Sequence, residues 1–195
     1  MITYKKKHLL RAWICTVILT LCLSAVALSE AQANKMEVLI SFDFQRQSTM
    51  ASNQIALWVE DEEGHAVRTL LATSFTAGRR GYRNRDMSLA AWVASSQPET
   101  LSQNELDAIS SATPSSGHLE YIWDLTDDQG NPVPEGLYHI RLEGTLFWES
   151  AVLYTAEIKT GEEVPGSLQI EMERNQPDNH ENETMIQNVT MIINE

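Results

Sequence analysis

Val38, Ile40, Phe42 and Phe44 stand two apart, with Leu39, Ser41 and Asp43 between them. That period belongs to a strand with one face buried and the other turned outward, and no feature constrains the fold more. Ile-Ala-Leu-Trp-Val-Glu at 55–60 repeats it. Asp61, Glu62, Glu63 and Gly64 then turn the chain, and a strand over about 65–74 completes a hairpin. A similar unit follows: one strand at 119–123, a polar, turn-rich connection at 124–136, and a return at 137–143. Further strands are expected at about 151–159 and, after a polar stretch at 175–183, at 186–193.

The stretch between these units reads differently. It opens on a Gly/Arg loop and continues into a helical segment over about 87–95, where Leu89, Trp92 and Val93 form a short apolar stripe. Ser102 and Glu105 fit a capping box for a second short helix over 101–109. The expected fold is mainly β: an Ig-like antiparallel β-sandwich with a short helical insertion at about 76–117.

The N-terminal residues carry the marks of export. Lys5, Lys6, Lys7 and Arg11 precede an apolar run over 12–28, which ends at Ala31-Gln32-Ala33. A cationic start, an apolar core and a small-x-small exit make a secretory signal, with cleavage expected before Asn34 and the periplasm as destination. The alternative is an uncleaved anchor, since the run is near the lower limit of roughly 17–25 residues for spanning a bilayer. No Arg pair precedes the run, and no small residue stands before Cys22, where Leu21 lies.

Cleavage would change the chemistry. The 14 cationic residues lose Lys5, Lys6, Lys7 and Arg11, and the 27 acidic ones lose Glu30, so the net charge moves from −13 to −16. Such a chain repels nucleic acid and anionic membrane surfaces. Both cysteines, Cys15 and Cys22, leave with the signal, so residues 34–195 hold neither thiol nor disulfide. About 160 residues suffice for one domain with its own core.

Trp123-Asp124, Asp128-Gln129-Gly130 and Val133-Pro134-Glu135-Gly136-Leu137-Tyr138 resemble the strand connection of the Ig-like module in flagellar hook-capping proteins. The physical expectation agrees: Asp, Asn and Gly make the first turn, Pro134 fixes φ, and Gly136 takes a conformation other residues avoid. Trp123 and Tyr138 are expected on the buried face. Together with the hairpin over 58–69, the Arg-rich loop and the Trp-bearing helix, this stretch resembles a bacterial family of predicted periplasmic proteins of unknown function. Its members are sometimes labelled flagellin-biosynthesis or Tat-signal proteins. The resemblance spans most of 36–195 and implies a fold and a compartment. It also implies gene neighbours of PepSY membrane-protein and periplasmic flavin-transferase type, hence extracytoplasmic redox or metal traffic.

One segment carries candidate chemistry. Asp107-Ala108-Ile109-Ser110-Ser111-Ala112-Thr113 resembles the acceptor motif of proteins that receive FMN covalently. In that motif a flavin transferase joins the FMN phosphate to the last hydroxyl, here that of Thr113. Small Ser110, Ser111 and Ala112 would admit the transferase, and Asp107 would help position the loop. Pro114 departs from the familiar pattern, which has Leu there. The alternative is a flexible connector after a helix.

Arg79, Arg80, Arg83 and Arg85 crowd a second segment. Guanidinium forks match phosphate or carboxylate, so the loop could bind an anion or an acidic partner. The alternative is a solvated loop balancing nearby carboxylates. Asp124, Thr126, Asp128 and Glu135 match part of a calcium-loop template, but Gln129 replaces its glycine, and the turn explains them without metal. His65, His118, His139 and His180 show no ligand spacing.

The tryptophans read as core or rim residues. Two functions lead, neither of them an enzyme; an enzyme stands third and would need a cleft of convergent polar side chains. One is an electron-transfer accessory carrying or working beside covalent FMN. The other is a cofactor-free Ig-like interaction module that docks a membrane partner.

Overall fold

Alternation turns Val38, Ile40, Phe42 and Phe44 inward from β1 (Glu37–Phe44), where none is more than 1% exposed. The computed structural model describes residues 36–48, 52–78, 81–146, 150–161, 166–175 and 184–194, all within the compact unit Met36–Glu195. The expected signal segment and its cleavage point lie outside the described residues. β1 is the centre of a three-stranded antiparallel sheet, flanked by β5 (Gly117–Trp123) and β9 (Ile186–Asn194).

The second sheet has six strands. β2 (Gln54–Asp61) and β3 (Ala66–Thr73) form the expected hairpin, and β2 pairs on its other side with β6 (Leu137–Thr145). β7 (Ala151–Lys159) and β8 (Ile170–Asn175) extend the sheet antiparallel. Ile55, Leu57 and Val59 of β2 share the main core with Ile140, Leu142, Val152 and the inward residues of β1. Burial of this apolar surface between two sheets is the principal stabilising term.

The outer face of the six-stranded sheet is covered as well. α1 (Ser74–Ala77), α2 (Gly81–Asn84), α3 (Ala90–Ser96) and α4 (Gln103–Ile109) make up the helical insertion. Leu89 and Trp92 form a second apolar cluster with Ala56, Trp58, Ala72 and Ala77. β2 is therefore buried on both faces, and its alternation separates two cores rather than core from solvent. Trp58, Trp92 and Trp123 are all fully buried, in agreement with the core reading; Trp148 lies outside the described residues.

Two expectations are corrected. First, residues 119–143 do not form a hairpin. β5 pairs with β1 in one sheet and β6 with β2 in the other, so residues 124–136 cross between sheets. Trp123 and Tyr138 meet in the core at 5.6 Å between ring centroids and a 60° tilt, anchoring the two ends of the crossing. Second, the left-handed backbone in that crossing falls at Leu125 and Gly130, not at Gly136. Asp127 Oδ1 accepts the N–H groups of Gln129 (2.9 Å) and Asn131 (2.8 Å), which places the reversal at Gly130. Gly136 instead donates its N–H to Thr160 Oγ1 at 2.9 Å. The expected sandwich with a helical insertion is what forms, with one parallel addition at its edge: β4 (Ser110–Ser111) lies parallel to β3, because the helical insertion returns the chain in the same direction.

Candidate functional site

Ser102 and Glu105 start α4 as the expected capping box. Glu105 Oε2 accepts the Ser102 N–H at 2.7 Å, and Ser102 Oγ accepts the Glu105 N–H at 3.4 Å. That helix leads into the candidate acceptor segment. Asp107 lies on its exposed side, where its carboxylate accepts from Gln103 Nε2 at 2.7 Å, one turn back. Its hold on the following loop runs through the backbone: the Asp107 carbonyl accepts Ser110 Oγ at 3.4 Å.

Ser110 and Ser111 then add a short edge strand, with Ser110 opposite Ala72 and Ser111 opposite Thr73. Ser111 and Ala112 are exposed and Thr113 is half-buried. The Thr113 hydroxyl donates to the Asn53 carbonyl over 3.4 Å, a long and therefore weak bond.

Of the arginine segment, α2 carries Arg83 and packs against α1, which also contacts β4. Gly81 makes this packing possible, since a Cβ there would fall 1.5 Å from the Phe75 carbonyl oxygen. Arg83 is exposed, its guanidinium carbon 5.7 Å from the centroid of the Tyr82 ring. Arg85 turns inward, donating from Nη2 to the Leu146 carbonyl at 2.5 Å, and burial pulls its pKa down. Leu146 follows Thr145, the register partner of Gln54. Arg85 and Thr113 are thus both fastened at the end of the sheet where β2 begins. Arg79 and Arg80 lie outside the described residues.

A buried polar layer between sheet and helices has no counterpart in the motifs read from the sequence. Glu143, 3% exposed, accepts the N–H groups of Trp92 (3.0 Å) and Ala91 (3.4 Å) at the start of α3. Desolvation raises its pKa to about 7, against the lowering effect of those N–H groups and of Arg141. It lines a cavity of about 120 Å³ with Met87, Leu153 and Glu173. One register step away, Trp58 Nε1 donates to Glu60 Oε2 (3.1 Å) and Ser95 Oγ (3.2 Å). Arg141 Nε stands 2.6 Å from Glu60 Oε1, an ion pair whose N–H lacks hydrogen-bond direction. Glu143, Arg141 and His139 alternate along β6 as outward positions, which would read as a solvated face if no helix covered it.

The outer face of the three-stranded sheet presents a third cluster. Leu39 is flanked in register by Ile122 (51% exposed) and Ile192 (37%). Further along, Asp43 accepts from Asn188 Nδ2 at 2.7 Å and lies 2.8 Å from His118 Nδ1. The Asn188 and His118 bonds lower the Asp43 pKa, and the Asp43 bond raises that of His118.

The calcium-template residues serve the crossing loop: Asp128 Oδ1 accepts the Thr69 N–H at 3.0 Å, and Thr126 Oγ1 donates to Asp124 Oδ1 at 2.5 Å. Among the described residues, no group of three or more His, Cys, Asp or Glu could hold a metal ion.

A family model described as "Predicted periplasmic protein (DUF2271)" matches residues 35–175. The chain belongs to this family. The match takes in β1 to β8, the helical insertion and the whole acceptor segment. The DUF2271 family carries a periplasmic description but no assigned activity, and no described helix is long and apolar enough to cross a membrane. No curated protein and no solved structure matches the chain.

Proposed function

We propose that this chain is a periplasmic accessory protein of an extracytoplasmic redox or metal-related system, and that it carries FMN esterified to Thr113. The observation that carries the proposal is the setting of the acceptor segment. Asp107 to Thr113 leaves a capped helix along an exposed sheet edge, with small Ser111 and Ala112 outward and the Thr113 hydroxyl on a 3.4 Å bond. The cysteine-free sequence of residues 34–195 points the same way, because redox chemistry there needs a borrowed cofactor.

With a flavin dinucleotide as donor, the Thr113 oxygen would form one ester bond to the FMN phosphorus. The pyrophosphate bond would break, AMP would leave, and the hydroxyl proton would go to the transferase's base or to water. No electrons are exchanged in that step. A flavin transferase and a PepSY-type membrane protein are the partners this reading requires. Intact-mass measurement after co-export with a flavin transferase tests it. The expected gain is FMN less one water on the wild type and none on Thr113→Ala; an unmodified wild type refutes the proposal.

The uncovered face around Leu39, Ile122 and Ile192 supports a second reading, a cofactor-free Ig-like module that docks a membrane partner. A colourless protein that co-purifies with a PepSY-type protein, and loses it on Ile122→Glu, would favour this reading over the first.

A further inference from the structure

Glu143, Leu153 and Glu173 stand opposite one another in register across β6, β7 and β8, so they form one row on the outer face of the sheet. Exposure rises along that row: Glu143 is buried, Leu153 half-buried and Glu173 exposed. The cover given by the helical insertion ends there. From the insertion, Met87, Ala90 and Ala91 line the same cavity of about 120 Å³ as the three strand residues. Its walls are thus largely apolar, with a buried carboxylate at one end of the row and an exposed one at the other.

Both titratable groups in this lining are acidic, and their charge is not met within the fold. Among the described residues, no ion pair engages Glu143 or Glu173. Arg141, two residues back on β6, is ion-paired to Glu60 at 2.6 Å, and α3 carries no charged side chain. The Glu143 carboxylate has about four acceptor positions, of which the N–H groups of Ala90, Ala91 and Trp92 take three. Room for one more donor remains. Burial without a paired cation is also what lifts the pKa of this group to about 7.

We propose that this cavity binds the ammonium group of a short primary alkylamine between Glu143 and Glu173. An ammonium N–H fills the remaining acceptor position with a charge-assisted bond, and the alkyl chain lies on Leu153, Ala90 and Met87. A cavity of about 150 Å³ admits benzene, so a chain of about four carbons matches this one. An anion is repelled by both carboxylates, and a neutral alcohol leaves their charge unmet. The site is separate from the flavinylation reading and does not depend on it. Contact with a cation favours the ionised form of Glu143, so below pH 7 the amine enters as a proton leaves. Affinity therefore rises with pH, by up to about tenfold per unit, and levels off above pH 7. Arg141 and Glu60 stay paired over that range.

NMR titration of the exported protein with n-butylammonium chloride tests the proposal, at constant ionic strength. Saturable shifts are expected at the amides of Ala90, Ala91, Leu153 and Glu173, with a lowered titration midpoint for the Glu143 carboxyl carbon. Glu143→Gln is expected to weaken binding about tenfold or more, and Glu173→Gln, at an exposed position that the fold does not need, several-fold. Tetramethylammonium, which has the charge but no N–H, and 1-butanol, which has the chain but no charge, should leave these signals in place. No saturable shift at these residues, or equal binding of tetramethylammonium, would overturn the proposal. So would wild-type affinity in Glu173→Gln together with an unmoved Glu143 midpoint, a result that needs no Glu143 variant.

Discussion

Glu143 is a carboxylate held under a helix start, with Arg141 on its own strand, Glu60 on the strand beside it, and Glu173 lining the same cavity. Its pKa rises from 4.5 to about 7, so the folded state keeps a proton that the unfolded chain has lost. The stability this gives is complete below pH 4.5 and declines as pH rises, until it is gone near pH 7. At about 1.4 kcal/mol per unit, the loss across that window is about 3 kcal/mol. Glu143→Gln does not titrate, so denaturant melts across the window should show it gaining on the wild type by that amount. Parallel profiles would refute the buried, proton-holding state. Sequence could not reveal this residue: a Glu at an outward strand position looks solvated until a helix from elsewhere in the chain covers it.

At the level of elements, Gly81 joins α1 to α2 by letting one backbone lie on the other. Gly81→Ala forces those backbones apart and should cost at least the upper end of the about 1–3 kcal/mol typical of overpacking. Thermal unfolding checks it; an unchanged midpoint would contradict the packing. Local patterns made most elements legible. β1, β2, β3 and the capped helix α4 follow from alternation, turn residues and the Ser102–Glu105 box. What failed depended on partners remote in sequence. β8 was missed because its residues are mostly exposed at a sheet edge, with Met172 half exposed. The 124–136 connection looked like a hairpin because local turn chemistry does not tell whether the next strand joins the same sheet. Within the candidate site, the run from Asp107 to Thr113 is legible as the end of a capped helix followed by small residues. The parallel pairing of Ser110 and Ser111 with β3 is not legible there, since it joins residues across the insertion.

For the whole molecule, the sandwich supplies a rigid frame, and the helical layer places an exposed segment of small residues along one edge of it. The strongly acidic surface expected after export disfavours anionic surfaces and favours a partner with basic patches. Residues 34–195 hold no cysteine, so the proposed redox role would need an added group. The central claim is therefore one covalent bond at one residue. Tandem mass spectrometry of the peptide spanning Asp107–Thr113, from protein exported together with a flavin transferase, tests it most directly. A single FMN phosphoester is expected, with fragment ions that place it on Thr113. An unmodified peptide, or an adduct on Ser110 or Ser111 that persists in Thr113→Ala, would contradict it.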